Sequence, residues 1–350
     1  MGNSYPDRTN ASGVWKINEI SKNKVTHNTY PDGSKRALFA GGNTGSASDI
    51  IEHIQLVSTG NGTDFGNLTV ARRMGGTTAS STRAVFANGA DPSTDVIDYV
   101  QYATLGNASD FGDAQTSATG LLAGGANSTR AISSGGLAPS NTDTINLMTI
   151  STTANATDFG NLTDARSYLA GMANDTRQIT SGGLDPGFSN IIDFVEIATT
   201  GNAIDFGNLT STPALATNCA SRTRGINCGG TAVSGGGTNL NIIDFIEISS
   251  TGNAADFGDL TGTQRSQSSF GSNTRMVTAG GQGPGTTKME AIQIASLGNA
   301  TDFSDSLSGT TENGRGTSDG KRGVFHKGAV QNVLETKNIF NGGAAVDFGD

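Results

Sequence analysis

Asn155-Ala-Thr-Asp-Phe-Gly-Asn-Leu-Thr163 is one copy of a stretch that recurs, with drift, over residues 36–350 of a 350-residue chain. Its Asp-Phe core appears seven times, at Asp64-Phe65, Asp110-Phe111, Asp158-Phe159, Asp205-Phe206, Asp256-Phe257, Asp302-Phe303 and Asp347-Phe348. A fixed period predicts an array of like units, each burying its apolar face against the next. Seven units share the chain at about 50 residues each, the allowance of a four-stranded propeller blade.

A second series confirms the period. Arg36, Arg83, Arg130, Arg177, Arg224, Arg275 and Arg322 are spaced by 47 residues, except for one interval of 51. The excess falls in the glycine-rich Ser234-Gly-Gly-Gly-Thr-Asn239, as expected of an insertion confined to one loop. After each Arg comes a short apolar run, then a variable loop. An alternating segment follows, such as Ile191-Ile-Asp-Phe-Val-Glu-Ile197. Its β-branched residues and period of two predict a strand with one buried face. The Asp-Phe-Gly element then reads as the turn before the last strand of the blade. Its Asp is expected to accept local backbone N–H groups, its Gly to supply positive φ, and its Phe to point between blades. Strand candidates between repeats fall near 70–76, 117–124, 164–171, 212–219, 263–270 and 308–315. The first blade lacks one, and a segment within residues 13–30 is expected to complete it beside the C-terminal blade.

The fold class expected is therefore all-β, a seven-bladed β-propeller over residues 36–350, preceded by an N-terminal arm over 1–35. The arm holds the only Trp of the chain. Val14, Trp15, Ile17 and Ile20 are its candidate anchor residues, either packing on the propeller or docking on a partner.

Composition narrows the function. Hydrophobic residues make up 34%, charged residues 15%, and glycine 50 positions, which suits many short strands and tight turns. The net charge of -9, without a Lys/Arg cluster, argues against a nucleic-acid partner. No apolar run is long enough to span a membrane, and no signal-peptide layout opens the chain. His27, His53 and His326 are scattered, and no nucleophile or P-loop motif appears. An enzyme is not expected, nor a cofactor or a metal. Each repeat offers one certain carboxylate, whereas calcium wants six to eight gathered oxygens. The seven arginines recur equally, which favours a structural pairing with an Asp or a backbone carbonyl over a binding ring. Cys219 and Cys228 flank a turn and are expected as free buried thiols, with a cross-strand disulfide as the alternative.

The layout resembles the kelch repeat. The likeness rests on an Arg-led strand, on the doublets Gly41-Gly42, Gly135-Gly136, Gly182-Gly183, Gly229-Gly230 and Gly280-Gly281, and on the acidic-aromatic strand that follows. Repeats two and seven depart, with Asn88-Gly89 and Lys327-Gly328, and the kelch fourth-strand Trp is missing throughout. Thr157-Asp-Phe-Gly-Asn-Leu-Thr163 also looks like the Asp-box of sialidase-type propellers, a structural turn. The sialidase arginine triad and the ligands of kelch-type copper oxidases have no counterpart. The degenerate Asn-Ala-Thr-Asp-Phe-Gly-Asn-Leu repeats, with Ser12-Gly-Val-Trp15, are similar to propeller-bearing virion proteins of marine tailed phages. That resemblance implies a non-catalytic tail, fibre or head-decoration protein. Made in the host cytoplasm, it would be carried on the particle in a symmetric oligomeric assembly. The arm would hold other virion proteins, and the least repetitive loops, Asn43–Asp49, Ala90–Asp95, Leu137–Thr144, Leu184–Asn190, Thr231–Asn241 and Gln282–Thr287, would meet a host glycan or receptor. A lectin or glycan-active enzyme using the same face is the alternative, and a kelch-type adaptor a further one.

Overall fold

Six of the seven Arg-led segments become the second strand of a small antiparallel sheet, and Arg36–Ala40 is the edge strand of the other among the described residues. The computed structural model describes residues 36–119, 122–232, 238–283, 287–306, 314–326 and 333–349. The arm over 1–35, with Val14, Trp15, Ile17, Ile20 and the segment expected to complete blade one, lies outside the described residues, as does Lys327-Gly328. Seven sheets are arranged as a β-propeller, and among the described residues there is no helix.

Blade two shows the pattern. Its strands are Gly76–Ala79, Arg83–Ala87, Val96–Gln101 and Ser109–Asp113, each paired with the one before. Blades three to seven repeat this order. Blade one shows three strands among the described residues, Arg36–Ala40, Ser48–Gln55 and Thr63–Arg72. An extra hairpin, Leu184–Asp185 with Gly187–Phe188, rises from the loop of blade four.

In blades two to seven the first strand is innermost, and first strands of neighbouring blades touch around the axis. Most of their residues are small because the backbones converge there, as in Gly-Thr-Thr-Ala, Ala-Gly-Gly-Ala, Ala-Gly-Met-Ala and Thr-Asn-Cys-Ala, with Phe270 and Arg315 the large exceptions in the last two blades. Ser269 Oγ donates to Asn218 O across one such contact at 3.1 Å. These strands start later than the sequence candidates placed them, at Gly76, Ala123, Ala170, Thr217, Ser268 and Arg315. The earlier residues form the connection from the previous blade, where Met74, Tyr168, Leu215 and Ser266 hold φ between 54° and 57° and cannot continue a strand.

The Asp-Phe-Gly element is not a connecting turn. It lies inside the outermost strand, as in Thr157–Asn161. The bend that its glycine signals is a β-bulge. Ile145 pairs with Gly160 and Asn146 with Asp158, so Phe159 has no partner in the ladder. The same slip recurs in all seven blades. A bulge adds one residue and turns its side chain out of register. The Phe is thereby aimed at the next blade. Phe111 joins Val85 and Ile97 of its own blade to Met148, Ile150 and Ala156 of the following one. Seven apolar clusters of this kind each span one blade-to-blade joint, the last linking Val324, Leu334 and Phe348 to Ala37, Ile54 and Leu56 of blade one. Each fully buried Phe is worth about 2–3 kcal/mol of transfer free energy.

Backbone bonds close the same joints. Gly201 N donates to Phe159 O at 2.7 Å and Ala203 N to Asn161 O at 2.8 Å. The free edge of each outer strand is therefore covered by its neighbour, which removes a template for aggregation. Gly60 N donates to Phe348 O at 2.8 Å and closes the ring non-covalently. Gly207 shows why the bulge needs glycine: its φ is 143°, and an added Cβ would lie 2.5 Å from the Gly252 carbonyl. Joint six departs from the pattern, with Ser304 in place of that Gly and Ala344 in place of the usual Asn. There Lys337 lies over the half-buried Phe303 ring at 4.4 Å instead.

Replacing Gly207 by Ala should cost about 2–4 kcal/mol, from left-handed strain and a backbone clash together. Gly187→Ala, in an exposed hairpin with open space around it, should stay within about 0.5 kcal/mol. Urea unfolding of both variants checks this; equal losses would remove the joint from the explanation.

Candidate binding face

The repeated side chains come first, because their roles decide what is left for a ligand. Every repeat Arg reaches across a joint to a carbonyl at the end of the next blade's third strand. Arg83 Nη1 donates to Ile150 O at 2.9 Å, Arg130 to Ile197 O at 2.9 Å, Arg177 to Ile248 O at 2.8 Å and Arg224 to Ile294 O at 3.1 Å. Arg275 reaches Ile339 O, Arg36 reaches Tyr102 O, and Arg322 closes the circle on Leu56 O. Arg83, Arg177 and Arg224 also lie over Tyr99, Phe194 and Phe245 of their own blades, 4.4 to 5.0 Å from the ring centroids. Those rings meet Phe111, Phe206 and Phe257 edge-on. A guanidinium thus caps an aromatic stack and latches two blades.

The repeat motif is used in the same way. Asp110, Asp256 and Asp347 accept from the N–H of the Gly two residues on, at 2.9 to 3.0 Å. In five copies the Asn three residues before the Asp serves the preceding blade: Asn107, Asn155, Asn202, Asn253 and Asn299 accept from outer-strand N–H groups at 3.0 to 3.1 Å. Asp64, Asp158, Asp205 and Asp302 hold the equivalent exposed place beside the buried or half-buried Phe65, Phe159, Phe206 and Phe303, and Phe348 ends the series. The structure brings these residues together in joints and not in one site.

Two arginines outside the series are buried against carboxylates. Arg72 binds Asp98 at 2.6 Å, and Arg166 binds Asp193. Arg166 also donates to Gly182 O and Ile191 O, at 2.7 and 3.0 Å. Burial lowers the Arg166 pKa and raises that of Asp193, in each case against the pull of the partner. Removing one partner of such a pair leaves the other charge buried and uncompensated. Asp244, which accepts from Thr210 N and Oγ1 at 3.0 and 2.6 Å, is also raised, first by burial.

The cysteines are free. Cys219 stands opposite Ile226 and Cys228 opposite Thr217, a diagonal placement on adjacent strands. Burial pushes the Cys219 thiol up to about 11 and the Cys228 thiol further still, which leaves both unreactive at neutral pH. His53 is buried, edge-on to Phe65 and bonded to Thr63, and its pKa is lowered first by burial. Among the described residues no group of three or more His, Cys, Asp or Glu gathers to hold a metal.

The remaining side chains that differ between blades collect on the face opposite the Arg ring. The loops between second and third strands lie there, and those of blades two to six are tied at the base. Bridges join Arg73 to Ala90, Thr119 to Leu137, Ser167 to Leu184, Ala214 to Thr231 and Arg265 to Gln282. Asn141 Nδ2 donates to Leu184 O and Asn239 Nδ2 to Gln282 O, each at 2.7 Å, so neighbouring loops are stitched together. Arg73 pairs with Asp91 at the exposed rim. Inside the loops runs a ring of left-handed residues, Met74, Tyr168, Leu215 and Ser266, partly linked by Leu215 N to Tyr168 O and Ser266 N to Leu215 O. Sequence reading missed this ring. Its one signal in the sequence is Gly120 at the same repeat position, and left-handed non-glycine backbone persists where a structure is over-determined. The face offers preformed, mixed polar and apolar loops.

No protein-family model matches the chain, and no curated protein matches it.

Arg166→Ala should cost about 3–5 kcal/mol by leaving Asp193 buried and alone, whereas Arg166→Met with Asp193→Leu should recover most of it. Denaturant melts of the two variants decide; equal losses would mean the cation matters only as packing. Asp244 gives a pH signature. Its carboxyl is raised in the fold, so that part of the stability is full below the unfolded value near 3.8 and is lost as pH climbs through the folded value. Asp244→Asn should flatten this slope in unfolding titrations, and an unchanged slope would assign it elsewhere.

Proposed function

We propose that this protein is a non-catalytic structural and binding component of a virion, a tail, fibre or head-decoration protein that presents a propeller for assembly or attachment. One observation carries the reading. Repeated polar and charged side chains are engaged in blade-to-blade joints, and the irregular residues are segregated on one face of tied loops. A scaffold repeats itself, and a recognition surface departs from the repeat. The placement on a virion rests on the likeness of the degenerate Asn-Ala-Thr-Asp-Phe-Gly-Asn-Leu repeats to phage propellers. A host glycan suits the loops, which offer Asn, Ser and Thr groups beside Tyr168, Leu215 and Phe188. A lectin or glycan-active enzyme would use the same face and is the competing reading.

A glycan array with the purified chain, run beside a reducing-sugar release assay, separates the two. Binding without release is expected, weakened by substitutions at Asn141 or Asn239 that untie the loops. Release of sugar would replace this reading by the enzyme. An antibody to the propeller should also label purified particles, and its failure to do so would remove the virion placement.

A further inference from the structure

Opposite the outer-strand Asp, six of the seven third strands carry a buried polar residue: Asp98, Asn146, Asp193, Asp244, Glu290 and Glu335. The connection from the previous blade brings one residue up to this place. It is recognised by its carbonyl, which accepts the N–H of a loop residue: Arg72, Ala118, Arg166, Pro213 and Gln264. The pairs that result are informative. Arg72 meets Asp98 and Arg166 meets Asp193, with the guanidinium also satisfying Val96 O and Phe86 O, or Ile191 O and Gly182 O. At the joint of Ala118 the residue is the neutral Asn146, whose Oδ1 accepts from Gln115 N at 3.0 Å. Charge is balanced at all three joints.

At the joint between blades five and six it is not. Gln264 replaces the Arg, and Glu290 keeps the carboxylate at 1% exposure. Glu290 Oε1 accepts from Thr261 N at 2.5 Å, but Oε2 has no partner. Thr278 stands directly across the ladder from Glu290, and its Oγ1 is also unpartnered, at 0% exposure. Gln267 turns its amide nitrogen to Gln264 Oε1 at 2.7 Å and leaves its own Oε1 orphaned in the interior. The ammonium of Lys288 bonds Thr261 Oγ1 at the exposed side of this joint. Cys228 faces the carboxylate from blade five, and its thiol is pushed up by burial and by the charge of Glu290. The joint between blades four and five differs, because both oxygens of Asp244 are taken by Thr210.

Three buried oxygens at this joint thus lack donors, and the Glu290 carboxylate holds the strand position that meets a guanidinium in two sister joints. An unpaired carboxylate in the interior is among the most costly arrangements a fold can hold. Oxygen-only donors suit hard cations and exclude the thiolate-seeking metals. We propose that this joint binds a small monovalent cation of the alkali class, held by Glu290 Oε2, Thr278 Oγ1 and Gln267 Oε1 in place of the missing guanidinium. The cation locks blade five to blade six and has no part in the recognition face.

Thermal unfolding of the full chain in potassium, sodium, lithium and choline chloride, at one ionic strength, tests this. At least one alkali cation should raise Tm above the choline value by a few degrees, with a saturable dependence. Glu290→Gln removes the charge with little change of shape, and Gln264→Arg restores the guanidinium; each should abolish the response. Equal Tm in all four salts, or a response that survives in Glu290→Gln, overturns the proposal. So does a protonated-carboxyl band at neutral pH in the infrared difference between wild type and Glu290→Gln, which would make the occupant a proton.

Discussion

The whole ring depends on how closely one outer strand approaches the loop of the next blade. At the bulge the approach is close enough that only hydrogen fits on Gly207, with the Gly252 carbonyl 2.5 Å from any Cβ. That approach lets Phe206 bury against blade five and lets Gly252 N reach Phe206 O. Asn253 then caps the next N–H, and Arg177 latches the inner side of the same joint. Apolar burial, backbone pairing and charge-assisted bonds are therefore coupled through one contact distance. The residues of the nine-residue motif are consequences of it: Asn for the neighbour, Asp for its own glycine, Phe for the joint, Gly for clearance, and Leu for the core beside Phe.

Much of this is legible in the sequence alone. The period, the strands with alternating Ile and Val, the joint-directed Phe and the loops that carry variation are all local or periodic signals. Three things were hidden. The Asp-Phe-Gly bend reads as a turn because Asp and Gly are turn formers; that it is a bulge depends on register against the third strand, which pairs Ile145 with Gly160. The inner strands are poor in β-formers, since crowding at the axis selects Gly, Ala, Ser and Thr and erases the hydrophobic alternation. And the partners of Asn107 or Arg83 lie 40 to 67 residues away in the sequence, so no short-range pattern names them.

The candidate face was legible only as variability. Nothing in a loop such as Leu137–Thr144 announces that Asn141 will bond the neighbouring hairpin, or that Tyr168 will adopt a left-handed backbone beside it. Those features arise from where the blades bring the loops. They make the face stiff, and a stiff polar face suits ligands that are themselves poor in ordering energy, because little further entropy is lost on binding.

The joints also have a direction. Each blade presents an outer strand and a latching Arg on one side and a receiving loop on the other, so the two sides are unlike and complementary. In symmetry terms this is a heterologous, head-to-tail contact repeated within one polypeptide. Such a contact either closes or propagates, and here the turn made at each joint brings blade seven back to blade one through Phe348 and Gly60. Gain or loss of a whole repeat leaves every contact chemically intact and changes only the angle at which the circle must close. A chain broken between blades would display one free donor side and one free receiving side. Its natural fate is exchange with another copy, by the same bonds that hold the single ring.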